Sequence, residues 1–173
     1  STGNVGRHSL IGIDAHPDLE LTGVWVSSDA KAGVDAGRLA GLDRDLGIDA
    51  TTDADALIAS QPDCIVHTAM ADNRLDEAIA DLARFLRAGI DVVSSGPVFL
   101  QFPIGVVDES MYQPILEATD EGGASLFVNG IDPGFANDLL PLALAGTCQS
   151  VEQIRCPEIV DYAGLVLNLE TYQ

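Results

Sequence analysis

The sequence predicts an α/β fold built on a doubly wound parallel sheet, with the first strand missing and the start of a second α+β domain at the C-terminus. Three observations predict it. Short apolar runs alternate with helical segments along the chain. A turn of small residues, Ser1 to Gly6, opens straight into a helical stretch without a strand before it. The apolar runs end in small or polar residues, where an open α/β sheet presents its ligand-binding turns. The boundaries read from this pattern are 1–135 for the sheet domain and 136–173 for the beginning of the second.

Each element has a local reason. The helix that follows Gly3 and Gly6 runs to about Ala15, and His16, Pro17 and Asp18 break it. Leu19 to Val26 alternates and then turns continuously apolar, which reads as a buried parallel strand ended by Ser27, Ser28 and Asp29. Ala30 to Gly41 is small and polar, a loop with at most a short helix. Gly47 to Thr51 reads as a short strand, and Thr52 with Asp53 as the cap of a helix through Ser60. Cys64 to His67 is a short buried strand. Leu75, Ile79, Leu82, Phe85 and Leu86 keep the helical period, and Gly89 closes that helix. Asp91 to Ser94 is a strand, Asp108 to Glu121 a helix ended by Gly122 and Gly123, and Ala124 to Asn129 a further buried strand. Pro133 and Asp132 suit the first turn and cap of a helix from Phe135 to Ala145. Val151 to Ile159 alternates as a last strand.

With right-handed crossovers, the missing first strand belongs at the centre of the sheet. Its neighbours, Leu21–Val26 and Cys64–His67, then lack ladder partners. Unpaired buried amides cost about 1–3 kcal/mol each. The expectation is that a strand precedes Ser1 or that the chain is a fragment.

Composition narrows the function. A formal charge of −19, with eight Lys and Arg, argues against nucleic acid and anionic membranes as partners. No apolar run approaches the roughly 18 residues of a membrane span. The N-terminus lacks the basic and apolar regions of a signal peptide. Cys64, Cys148 and Cys156 show no metal-binding spacing and suit a reducing, cytoplasmic compartment, with Cys64 read as a small core residue.

The candidate chemistry lies in five turns. Ser1, Gly3, Asn4, Val5 and Gly6 form the second half of a Rossmann-type dinucleotide turn: Gly3 admits a pyrophosphate, Gly6 lets the helix pack closely, and free amides face the phosphates. Ser27 and Ser28 occupy the position where a carboxylate would select NAD; with Lys31 they favour NADP, while Asp29 keeps NAD open. His67, Thr68 and Ala69 leave room for a nicotinamide ribose, and His67 is either an acid or base or a hydrogen-bonded core residue. Ser95 and Gly96 suit contact with the nicotinamide or the substrate. Asn129 to Gly134 places Asn129 and Asp132 toward a substrate, with helix capping as the alternative role of Asp132.

The turn STGNVG, the strand ends at Ser27, Thr68 and Ser94, and the GIDPG of Gly130–Gly134 together resemble the dihydrodipicolinate reductase-like oxidoreductases, among them the 2,4-diaminopentanoate dehydrogenases. The GIDPG turn also resembles that of diaminopimelate and saccharopine dehydrogenases. The resemblance covers about residues 1–160. The His-His pair and the Asp-Ala-Pro-Ser-Gly-Thr-Ala run of true dihydrodipicolinate reductases do not occur here. What the resemblance implies is NAD(P)-dependent hydride transfer at a carbon–nitrogen or carbonyl carbon of a small amino-acid-like substrate. It also implies a homo-oligomer at full length and a C-terminal domain supplying substrate groups, with Asp132 the residue to meet an amino group. The alternatives are a nucleotide-binding module without catalysis, an inactive truncated form and, on a similar sheet, a methyltransferase.

Overall fold

A computed structural model describes residues 2–71 and 74–159. They fall into two units divided between Val128 and Asn129.

In the first unit the apolar period of the sequence becomes a parallel sheet with helices against it. Strands β1 (Cys64–His67), β2 (Asp91–Ser94) and β3 (Leu126–Val128) pair in that order, all parallel. The register sets Val66 beside Val93 and Val93 beside Phe127. Helix α1 spans Asn4–Ala15, α2 Ala36–Ala40, α3 Ala54–Ala59, α4 Leu75–Arg87 and α5 Gln113–Gly122. The α4 stripe Ala78, Leu82, Phe85 and Leu86 is buried, as its spacing predicts. Acidic Asp76 and Glu77 sit in its first turn and basic Arg84 and Arg87 in its last, both complementing the helix dipole. Leu82, Phe85 and Leu86 join Val92, Ile115 and Ala118 in one core. Gly122 lets α5 approach α4, since a Cβ there would overlap the Leu86 carbonyl. A second core gathers Leu10 of α1, Val24, Val26, Ala36 and Ala40 of α2, and Ala50.

Asp35 ties down the segment after α2. Its carboxylate caps Gly37 N at 2.7 Å and accepts from Leu46, Gly47 and Ile48 N at 2.9, 2.8 and 3.2 Å. These amides hold the carboxyl below its usual pKa range, the Leu46 bond most strongly. The short helix allowed within Ala30–Gly41 is α2, Ala36–Ala40.

Several expectations differ from the structure. Leu19–Val26 is not a laddered strand: only Trp25 pairs, in a single parallel bridge to Thr51. Gly47–Thr51 likewise offers isolated bridges at Asp49 and Thr51. A strand exists only where a neighbour supplies a run of partners, and here one edge meets Thr51 alone. Cys64 is exposed, because the outer edge of β1 carries no strand among the described residues. In the second unit, Val151–Ile159 forms no ladder. Its helical stretch comprises a π-helical turn, Phe135–Leu139, and α6, Leu140–Ala145. Gly134 is its N-terminal boundary and no side chain caps it, so Asp132 does not act as the cap. Among the described residues, no helix is long and apolar enough to cross a membrane.

Candidate functional site

The opening turn gives α1 an uncapped start. Gly3 is the boundary residue, and the first intrahelical bond runs from Arg7 N to Gly3 O at 2.9 Å. The amides of Asn4, Val5 and Gly6 therefore have no helical acceptor, and none meets another acceptor among the described residues. Asn4 and Val5 are exposed and Gly6 is buried. Such a start attracts an anion through its amides and its dipole.

The second turn is brought to the first. Ser27 and Ser28 are exposed and lead into a 3-10 turn, Asp29–Lys31. From there Lys31, the chain's single lysine, places Nζ 3.3 Å from the Thr2 carbonyl oxygen. Arg38, Arg44, Arg74, Arg84 and Arg87 are each paired with a carboxylate. Lys31 and Arg7 instead meet main-chain oxygens. In a chain of net charge −19, neither of these two forms an ion pair among the described residues, and both lie next to the opening turn.

His67, ending β1, is only 2% exposed. Its Nδ1 lies 3.1 Å from Ser94 Oγ. Ser94 Oγ lies 2.5 Å from the Gly96 carbonyl oxygen and 3.2 Å from that of His67. The single hydroxyl proton is used on a carbonyl, so Ser94 accepts from Nδ1–H, which assigns the tautomer and leaves Nε2 a bare acceptor. Nε2 has no partner, and neither does the buried Thr2 Oγ1. Burial pushes the imidazole pKa down to about 4, and nearby positive charge, including Arg74, adds to this against the opposing pull of Asp81. His67 is thus a neutral ring at neutral pH. Ser95 N donates to His67 O at 3.1 Å, tying the third and fourth turns together.

Thr2, Gly6, His67 and Thr68 line one groove of about 130 Å³ that runs on between Leu21–Trp25 and Cys64–Val66. The structure thus gathers the opening turn, Lys31 and the ends of β1 and β2. Ala69 follows Thr68 half-buried, and Gly96 is buried beneath Ser95, which is exposed. Ser27 and Ser28 do not line the groove. Sequence reasoning passed over Thr2 and the anchoring role of Ser94, whose hydroxyl is placed by the strand register that pairs it directly with His67.

The second unit carries the remaining two candidates. Asn129 Oδ1 accepts from Gly130 N at 2.8 Å, and the turn closes as Phe135 N donates to Gly130 O at 2.9 Å. Gly134 sits at φ 137°, where a Cβ would collide with the Gly130 carbonyl oxygen and Asn129 Oδ1. Asp132 is exposed, and Glu158 hydrogen-bonds to it; that bond and the adjacent like charge raise the Glu158 pKa.

Fold and site together define an α/β chain with a three-stranded parallel sheet of Rossmann-like kind and an anion-ready helix start. Known proteins similar to it include two amine dehydrogenases. Over 162 residues the chain is 45% identical to an amine dehydrogenase of Streptomyces virginiae, an alignment that takes in 94% of this chain and 45% of that protein. Among solved structures, the amine dehydrogenase from Mycobacterium smegmatis superposes with a TM-score of 0.64 at 23% identity, over 83% of this chain and 41% of the other, a likeness of fold. The chain spans less than half the length of either relative. No family model matches.

Proposed function

We propose that this chain is the dinucleotide-binding part of an NAD(P)-dependent oxidoreductase that acts at the carbon–nitrogen bond of a small amine- or amino-acid-like substrate. The observation that carries the reading is the start of α1, with three unpartnered amides and Lys31 beside Thr2. Similarity to the Streptomyces virginiae amine dehydrogenase supports the reaction class.

The residues fit the cofactor in chemical terms. Amides of Gly3 to Gly6 would hold the pyrophosphate. Ser27, Ser28 and Lys31 would read the adenosine ribose, with the lysine favouring NADP over NAD. Thr68, Ala69, Ser95 and Gly96 would flank the nicotinamide, and the bare His67 Nε2 accepts a hydrogen bond from a ribose hydroxyl or substrate N–H. When bound, the nicotinamide supplies hydride exchange. The chain's own residues bind it, orient it and exclude water. As a neutral ring, His67 contributes hydrogen bonding or a proton relay and no fixed charge. Asn129 and Asp132 would face the substrate, and the carboxyl pair of Asp132 and Glu158 suits an ammonium group.

Isothermal titration with NADPH and NADH tests the binding step. Saturable binding is expected, and Lys31→Glu is expected to weaken NADPH by about tenfold or more while changing NADH less. Heat-silent titrations with both nucleotides would remove the proposal. Binding without turnover of any amine or amino acid would leave a nucleotide-binding module in its place.

A further inference from the structure

The packed face of the sheet changes character at the strand ends. Strand register aligns Ile65, Val92 and Leu126 in one row and His67, Ser94 and Val128 in the next. The first row is apolar throughout and packs into the core. The second sets two polar residues side by side, each only 2% exposed, where a parallel sheet ordinarily buries Val or Ile. Ser94 holds the middle of that row, on the central strand β2. A polar residue that breaks the local rule in this way is expected at a functional position.

The Ser94 hydroxyl uses all of its hydrogen-bonding capacity on two turns. A hydroxyl carries one proton and two lone pairs. Its oxygen lies 2.5 Å from the Gly96 carbonyl oxygen, accepts from Gly96 N at 3.3 Å and lies 3.1 Å from His67 Nδ1. With the proton on a carbonyl, one lone pair serves Gly96 N–H and the other serves Nδ1–H. The His67 carbonyl oxygen lies 3.2 Å from the same hydroxyl and accepts from Ser95 N at 3.1 Å. One atom therefore joins the end of β1 to the turn after β2. An apolar side chain at position 94 would leave the Gly96 amide and Nδ1 without this partner. The ring proton would then be free to move to Nε2, because the tautomer of a neutral imidazole is set by the bond its other nitrogen makes.

We propose that Ser94 is a positioning residue for the nicotinamide half of the cofactor: its hydroxyl keeps His67 Nε2 an acceptor and holds the Ser95–Gly96 turn against the end of β1. The inference rests on the cofactor reading above and adds to it a residue that acts through others. Ser94 is buried beneath exposed Ser95 and reaches the site only by way of His67 and Gly96. The two halves of the cofactor should therefore depend on it unequally. The adenosine half, at the opening turn and Lys31, is independent of Ser94, whereas the nicotinamide half, at the turns that Ser94 joins, depends on it.

The test uses the full chain and two variants of matched shape, Ser94→Thr, which keeps a hydroxyl, and Ser94→Val, which puts a methyl in its place. Nitrogen NMR of the His67 ring at neutral pH reads the tautomer. Titration calorimetry reads the binding of NADPH and of adenosine 2′,5′-bisphosphate, which carries the adenosine half alone. The unaltered protein and Ser94→Thr are expected to hold the ring proton on Nδ1, and Ser94→Val to show it on Nε2 or exchanging between the two. Ser94→Val is expected to bind NADPH about tenfold more weakly while the bisphosphate changes by less than about twofold. Equal weakening of both ligands, or unchanged NADPH affinity, would overturn the proposal and leave the cofactor reading standing. So would a His67 ring protonated on Nε2 in the unaltered protein, a measurement that needs no variant to fold. Absence of NADPH binding by the unaltered protein would remove the cofactor reading itself, and the role of Ser94 with it.

Discussion

Lowering the pH from 6.5 toward 4 is expected to drain stability through His67. The folded ring titrates at about 4 and the ordinary value is 6.5. Between these values the unfolded chain binds a proton that the folded chain refuses, so stability rises with pH across the window. The contribution is complete above about 6.5 and is lost as the pH falls to about 4. A gap of 6.5 minus 4 corresponds to on the order of 3 kcal/mol, with a limiting slope of about 1.4 kcal/mol per pH unit. The cause is local: a protonated ring would place charge in a 2% exposed site and turn a bare, buried acceptor into a bare, buried donor. Urea unfolding from pH 7.5 to 4 measures the slope, and the same series on His67→Gln isolates it from the titration of the many carboxylates. Should that variant be too unstable to follow, the His67 ring resonances of the unaltered protein report the midpoint directly. A His67 midpoint near 6.5, or identical pH slopes in the two proteins, would refute the reasoning.

Three further outcomes are expected. Asp35→Ala should leave the amides of Gly37, Leu46, Gly47 and Ile48 without their acceptor, speeding hydrogen exchange at 46–48 and lowering the urea midpoint. Because the Asp35 pKa is lowered on folding, its contribution is present above about 3.8 and is lost only as the pH falls through its lower folded value. Gly134→Ala should cost about 1–3 kcal/mol of backbone strain at φ 137°, read as lost exchange protection between Asn129 and Ala145 with α4 unchanged. Leu82→Ala, at a fully buried position, should cost about 2–5 kcal/mol in urea unfolding.

Helix α4 was legible because a single stripe carries its fate: Leu75 to Leu86 bury every third or fourth side chain whatever the neighbours are. Strands β1, β2 and β3 were legible as apolar runs set at crossover spacing. Leu19–Val26 was misjudged for a physical reason, since apolar character makes a chain able to pair but does not supply the partner. Cys64 was misjudged for the same reason, since its burial depends on an edge that no local pattern describes. The site followed a similar division. Gly3, Gly6 and Lys31 could be named from residue type, whereas the Lys31 reach to Thr2 and the three distant amides clasped by Asp35 join residues 29 and 11 to 13 positions apart.

The sequence by itself determined the alternation of strands and helices, the helix start after Gly3 and the acid-rich composition, because these depend on neighbours along the chain. Only the tertiary structure decided which nitrogen of His67 is bare, which main-chain oxygens Lys31 and Arg7 meet and which strands pair among the described residues. Those properties depend on what distant segments bring within hydrogen-bonding range, and a one-dimensional pattern holds no record of that.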